Sequence, residues 1–340
     1  MTSHRHALTT GTLFALAAGL MWGLVFVAPT MLADYPAMLL TMGRYLAFGL
    51  IALPLAWWDR RRLAELTRAD WVEAAKLAAV GNVLYYLCLA AAIQRAGGPL
   101  PTMIIGTLPV VIAVSANLRS AAAGQRQEGK LPWLRMLPSL LLIAAGLACV
   151  NHAETSQLPA DTDRLRYGLG AVLAVAAVAC WTWYPLRNAE WLRAHADRSP
   201  RAWATAQGLA TLPMALVGYA LFWAWSATSD LGNAGSQEGA VAGAPFPMPF
   251  GPQPLLFMGL MLAIGLFASW LGTLCWNEAS QRLPPALAGQ LIVFETLAAL
   301  GYAYLLRAAW PGWWTGAGVG LLVAGVVTAL RVRPKTHRTA

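Results

Sequence analysis

Charge is scarce in this sequence. Only 11% of its 340 residues are Asp, Glu, Lys or Arg, where an ordinary soluble domain carries roughly 25%. That shortage excludes a soluble enzyme and a disordered chain, because neither could be solvated. Cysteine is also sparse. Cys88, Cys149, Cys180 and Cys275 lie far apart inside apolar runs, with no CxxC or Cys/His spacing, so neither a disulfide framework nor a metal site is expected. There is no serine–histidine–acid set, no phosphate-binding glycine loop and no ATP-binding motif. The histidines fall near termini and loops (His4, His6, His152, His195, His337). No cofactor is called for, and catalysis is not expected.

What the sequence does have is apolar length. Apolar types make up 58% of the chain, and tryptophan occurs 16 times. Ten apolar stretches of about 20 residues would occupy about 200 residues, which matches that fraction. The expectation is an all-α polytopic membrane protein whose partner is the lipid bilayer. The net charge of +9 does not argue for nucleic acid, since membrane proteins collect Lys and Arg in their cytoplasmic loops. Leu8 to Pro29 is long enough to span, so a cleavable signal peptide is not expected.

Ten spans are read at about 8–30, 36–58, 71–94, 98–118, 132–151, 166–187, 202–225, 254–281, 284–306 and 311–331. Arg5, Arg60–Arg62, Arg68, Arg119, Arg126, Lys130, Arg135, Arg193, Arg198, Arg201, Arg282 and the basic tail fall on one side. Only Arg95, Arg164, Arg166 and Arg307 fall on the other. The bias puts both termini in the cytoplasm. Residues 226–254 contain no Lys or Arg and are rich in Gly, Ala, Pro and Ser. They read as a flexible external loop.

Spans three and eight repeat a pattern. Leu87-Cys88 and Gln94-Arg95 recur as Leu274-Cys275 and Gln281-Arg282, offset by 187. Spans five and ten share Pro132/Pro311 and Ala145-Gly146/Ala324-Gly325. Spans one and six share Ala17-Ala18 and Trp22 with Ala176-Ala177 and Trp181. Together these suggest two five-helix repeats, 8–151 and 166–331. An odd number of spans inverts the second copy, an architecture common among secondary transporters, whose substrate site lies between the halves.

Two charged residues fall at membrane depth, where each costs at least about 2.5–3.5 kcal/mol. Glu295 sits near the centre of span nine, as a proton carrier or counter-charge, or as part of a buried structural pair. Arg44 sits in span two, for anion recognition through its planar fork or for structural neutralisation. A direct Arg44–Glu295 pair is open. Ser269, Thr273, Asn277 and Ser280 share one face of span eight, and the 187-residue offset places Asn82 and Tyr86 at the positions of Ser269 and Thr273. These faces line a cavity or join helices, with Gln207 and Thr211 as further contributors. Trp22 and Trp181 hold matching mid-span positions, as an aromatic wall or as core. Gly312, Gly316 and Gly320 form a ridge on span ten that packs internally or forms a homodimer seam.

Several segments carry a resemblance: LFALAAGLMWGLVFVAP (13–29), GRYLAFG (43–49), GTLPVVIAV (106–114) and WPGWWTGAGVGLLVAGVVTAL (310–330). The chain resembles the drug/metabolite transporter superfamily, EamA-type branch. The resemblance implies a ten-span secondary transporter in the plasma membrane (the inner membrane of a bacterium). Such proteins often export amino acids or related small metabolites by alternating access, and proton coupling is one form. Trp22 matches the family's first-span Trp-Gly, and Arg44 its second-span Arg. The second half carries Glu295-Thr296 where the family often has proline. A facilitator or importer of the same fold, or a multispan enzyme acting on lipid, are the alternatives.

Overall fold

The computed structural model describes residues 2–97, 99–122, 133–155, 163–228, 246–306, 308 and 310–331. Among these residues the regular elements are helical and no strand occurs. A bilayer offers backbone groups no water, so helices, which satisfy their own N–H and C=O groups, are the form expected of such apolar runs.

Helix α1 runs from Thr2 to Trp22 and continues through a 3₁₀ turn, Gly23–Phe26, to Met31. Helix α2 is Ala37–Trp58. A single turn, Arg60–Leu63, leads to α3, Arg68–Ala96. The start of α3 is fixed by a capping box between Thr67 and Asp70, which satisfies two orphan N–H groups reciprocally. Helix α4 has two pieces, Pro99–Gly106 and Leu108–Ala122, broken at Thr107. Helices α5 (Trp133–Thr155), α6 (Arg164–Ala194) and α7 (Pro200–Thr228) follow. Then come α8 (Pro254–Arg282) and α9, which is broken at Ile292 into Pro285–Leu291 and Val293–Leu306. Helix α10 is Trp313–Arg331.

Seven of these helices are long and apolar enough to cross a membrane: α1, α2, α3, α6, α7, α8 and α9. Helices α4, α5 and α10 carry shorter apolar stretches, Leu100–Ile112, Leu134–Val150 and Trp313–Thr328. Helix α6 runs well beyond the expected end at 187; its last two turns are held by polar contacts of Arg187, Asn188 and Trp191 together with buried Ala189 and Leu192.

Two helices widen locally into π-helix: α3 over Ala78–Leu84 and α8 over Ile264–Leu271. Such turns leave a carbonyl without its usual partner and recur at functional sites. In α3 the widened turn contains Gly81, whose open side is filled by a neighbouring ring. A Cβ there would lie 2.1 Å from Cδ2 of Tyr184 on α6. The expected result of Gly81→Ala is therefore overpacking, a loss of about 1–3 kcal/mol. A lowered thermal unfolding midpoint in detergent would register it. An unchanged midpoint would mean that α3 and α6 separate easily at this level.

The helices pack in pairs. Helix α1 lies on α8 and α9, α3 on α6, and α2 on α7. Helix α4 lies on α6 and α9, and α5 on α10. The α5–α10 pair meets backbone to backbone: Cβ atoms at Gly146 and Gly318 would lie 2.8 and 2.7 Å from the other glycine's carbonyl oxygen. Small residues at a crossing allow this approach. Ser139 Oγ on α5 donates to the Gly325 carbonyl at 2.9 Å. The ridge of Gly312, Gly316 and Gly320 is not used in this contact; nothing lies within 4 Å of a Cβ built at any of the three. Internal packing of that ridge is thus corrected to Gly318 and Gly325, which face α5.

Most of the expected loop at 226–254 lies outside the described residues, but 246–253 are anchored. Tyr35, in the α1–α2 connection, donates its hydroxyl to the Phe250 carbonyl at 3.0 Å and accepts from the Gln253 N–H at 2.7 Å. Its ring stacks on Phe257 and meets Phe246 edge-on, both at 5.4 Å. Gln94 Nε2 donates to the Tyr35 carbonyl, and Tyr219 donates its hydroxyl to the Pro249 carbonyl.

Candidate functional site

Arg44 enters from α2 and is 5% exposed. Its Nε donates to Ser269 Oγ on α8 at 3.0 Å. Its guanidinium carbon lies 4.4 Å from the Tyr86 ring centroid and 5.0 Å from that of Tyr45, which are cation–π distances. Nη1 of the same guanidinium is buried with no hydrogen-bond partner. Ser269 in turn donates to the Ile264 carbonyl at 3.2 Å, five residues back. Ile264 and Ser269 both lie in the π-helical turn of α8. The widened turn thus orients the serine, and the serine orients the arginine.

Glu295 lies in the first turn of the second piece of α9, directly after the break at Ile292, and is 2% exposed. The amino end of a helix favours a negative charge. Its Oε2 has no hydrogen-bond partner. Arg44 and Glu295 form no ion pair within 4.0 Å, although the guanidinium charge is near enough to act on the carboxyl. The open question of direct pairing is answered by two charges that share a buried region without neutralising each other by contact.

Aromatic rings surround these groups. Trp22 meets Trp181 edge-on at 5.0 Å and Trp276 at 5.2 Å. Trp181 is stacked between Tyr85 at 4.6 Å and Tyr184 at 4.9 Å. The Trp181 indole N–H, the Trp276 indole N–H and the Tyr85 hydroxyl are buried without hydrogen-bond partners. A buried polar group left unmade costs about 1–3 kcal/mol, more for a charged one. Arg44 Nη1, Glu295 Oε2 and the Tyr85 hydroxyl are therefore unmet beside one aromatic cluster, in which the Trp181 indole N–H lies near enough to the Glu295 carboxyl to act on it. They are the donors and the acceptor that a polar guest with a planar or apolar body would satisfy.

The remaining expected site residues are buried, but several have committed partners. Asn82 Nδ2 donates to Thr211 Oγ1 at 3.4 Å, and the Tyr86 hydroxyl donates to the Val25 carbonyl at 3.3 Å. Asn277 accepts from Asn188 Nδ2 at 2.8 Å and donates to the Pro200 carbonyl at 3.1 Å. Asn188 also accepts from the Trp203 indole at 2.8 Å and from Gln207 Nε2 at 3.2 Å. Gln207 accepts from the Tyr184 hydroxyl at 2.8 Å. This network ties α3, α6, α7 and α8 together, so Asn82 and Asn277 join helices here. Thr273 is buried beside Tyr184. Trp22, Arg44, Tyr86, Trp181, Ser269 and Glu295 are brought to one region.

The residues not anticipated are Tyr45, Tyr85, Tyr184, Asn188 and Trp276. Each left a faint signal: Tyr45 follows Arg44, Tyr85 precedes Tyr86, Tyr184 is one helical turn past Trp181, and Trp276 precedes Asn277. Asn188 left only its polarity within an apolar span.

Comparison with known proteins places this architecture. Residues 9–121 match the EamA-like transporter family. The chain is 52% identical over 332 residues to the inner membrane protein YtfF of Escherichia coli (strain K12), covering 97% of this chain and 98% of that one. A crystal structure described only as that of a protein superposes with a TM-score of 0.67 at 17% identity, over 94% of this chain and 96% of the other. That likeness is one of fold. With helices of this length and order, and a relative of this identity over its whole length, the chain belongs to the EamA-like transporter family of the drug/metabolite transporter superfamily.

Proposed function

We propose that the chain is a secondary transporter that moves a small polar metabolite, such as an amino acid, by alternating access between two inverted repeats. The single observation that carries this reading is the buried, unpartnered pair of Arg44 Nη1 and Glu295 Oε2 beside the Trp181 stack. Charges at membrane depth are costly and mark substrate or ion pathways.

Ten crossings in two repeats are supported by correspondences between the halves. The π-helical turns Ala78–Leu84 and Ile264–Leu271 lie at the 187-residue offset. Helices α4 and α9 are each broken after their first two turns. Trp22/Trp181, Gly49/Gly208 and Pro54/Pro213 share a second offset, 159. Exchanging the repeats turns the α1–α8 contact into the α6–α3 contact and leaves α2–α7, α4–α9 and α5–α10 unchanged. Gly49 faces Leu212, and Gly208 faces Phe48 and Ala52, so each half contributes a glycine to the α2–α7 crossing. Broken helices at the midplane are a recurring feature of such carriers.

The basic ends of the helices face the cytoplasm in this reading, both termini lie there, and the membrane is the inner one, as for the Escherichia coli relative. Export, rather than import, rests on the family resemblance. Glu295 carries the coupling proton or balances charge.

The test is reconstitution into liposomes with a panel of labelled amino acids, organic acids and amines, with and without a pH gradient. Saturable flux of at least one compound above that of empty liposomes is the expected result. Folded protein that moves nothing across a broad panel would overturn the reading and raise the standing of a membrane enzyme.

A further inference from the structure

The basic end of the bundle carries a charge pattern that the binding site does not use. The acids that pair across two of its corners come from one short stretch, 59–73, at the α2–α3 corner. The cations and the indole that meet those acids from across the seam come from 187–201, at the α6–α7 corner. Glu73 takes Arg187 in a fork, Oε1 to Nε at 2.5 Å and Oε2 to Nη2 at 3.2 Å. Asp59 accepts from Arg201 Nε at 2.8 Å, and Glu65 accepts from Arg198 Nη1 at 2.9 Å. Asp70 accepts from the Trp191 indole at 2.9 Å, and His195 Nε2 lies 3.8 Å from the same oxygen. Trp191 is stacked between His195 and Trp203. Three of the four acids are buried, Asp59 and Asp70 each 5% exposed and Glu73 7% exposed, whereas Glu65 is exposed. The α6–α7 corner also makes local pairs, Arg187 with Glu190 and Arg198 with Asp197, and Arg62 donates to Ser199, but among the described residues the ion pairs that cross between the corners run from an acid of 59–73 to a basic side chain of 187–201.

Behind this seam lies a small void of about 10 Å³, the size that holds about one water. Ile112, Pro185, Ala189, Trp276, Ser280 and Leu283 are among the residues lining it. Trp276 Nε1 and Ser280 Oγ are buried there without partners. Trp276 contacts Trp22, which contacts Trp181. The void therefore sits between the aromatic cluster and the basic mouth. The opposite mouth is closed differently, by the Tyr35 ring and the backbone of 246–253.

We propose that the acids of 59–73 and the cations of 187–201 form a releasable electrostatic latch between the two repeats, which shuts the basic mouth of the transport path, with the Trp276–Ser280 void as the closed remnant of that path. The inference rests on the transport reading for the path but not for the latch itself. Pairs with one partly exposed partner weaken as salt screens them, so opening of this mouth should depend on ionic strength while the Tyr35 closure should not.

The experiment places a single reporter, Ser280→Cys, in a chain whose four native cysteines are replaced by alanine, in nanodiscs with both faces accessible. The rate of modification by a water-soluble maleimide is measured. It should be slow with the latch intact and rise about tenfold or more with Glu73→Gln and Asp59→Asn together. The charge exchange Glu73→Arg with Arg187→Glu should restore the slow rate. If the double variant does not fold, raising NaCl from 50 mM to 1 M on the intact latch should raise the rate severalfold. Rates unmoved by both the neutralisations and salt would overturn the latch, as would acceleration that the charge exchange fails to reverse. Flux in the liposome assay is read separately, so loss of the latch with flux intact leaves the transport reading standing.

Discussion

Arg44→Ala should reduce saturable flux by about a hundredfold or more while leaving a folded, monodisperse protein. The size of the effect follows from how the side chain is held. Ser269 fixes Nε, and the Tyr45 and Tyr86 rings flank the guanidinium, so the unpartnered Nη1 is aimed without being consumed. A preorganised, water-excluded charge acts with little screening, and truncating one partner of a buried charge contact costs several kcal/mol. Arg44→Lys should rescue little, because an ammonium lacks the planar fork that keeps one arm on Ser269 and the other on a guest. The competing view is that Arg44 only neutralises its surroundings. That view requires the Ala variant to lose folded protein rather than flux, and requires Lys to restore it. Gel filtration and flux measured on the same preparations separate the two.

Glu295→Gln should leave the fold intact and remove the response of flux to a pH gradient. One pH unit corresponds to 1.36 kcal/mol per proton, so a carrier that exchanges one proton for one neutral substrate can sustain about tenfold accumulation across it. The wild-type protein is expected to approach that ratio and the Gln variant to equilibrate at one. Glutamine preserves shape and the hydrogen-bonding oxygen but cannot carry the proton. The position supports the choice: the carboxyl is at a helix break, in the first turn of a half-helix, with Oε2 unmet. A wild-type flux indifferent to the gradient and matched by the variant would make Glu295 structural and the protein a facilitator.

Much of the fold was legible because lipid simplifies the code. Apolar length located most of the helices to within a few residues, though it missed the start of α1 and the end of α6. Gly49/Gly208 and Pro54/Pro213 were equally readable at the Trp22/Trp181 offset. The π-helical turns were not, since nothing in AAVGNVL or IGLFASWL distinguishes a five-residue from a four-residue hydrogen-bond step. Arg44 and Glu295 announced themselves by the cost of charge in hydrocarbon. Asn82 and Asn277 announced themselves equally by polarity, yet their partners, Thr211 and Asn188, are about 130 and 90 residues away; without those partners glue and cavity wall look alike. The same distance hid the acids of the α2–α3 corner, whose partners lie more than 110 residues away.

The glycine-to-carbonyl seam between α5 and α10 has a consequence for biosynthesis. Helix α5 ends at Thr155 and α10 begins at Trp313. Ribosomes add about 5–20 residues per second, so roughly 160 intervening residues take on the order of ten seconds. Through that interval the α5 seam, Ser139 and the Gly146 carbonyl edge, waits for the last helix to be made. A nascent chain stalled before residue 313 would offer that seam to whatever small-residue helix drifted past, including α10 of a finished neighbour. Partial products of this gene should therefore poison assembly more than fragments cut elsewhere in the chain, and co-expressing residues 1–310 with the intact protein should lower the yield of the latter.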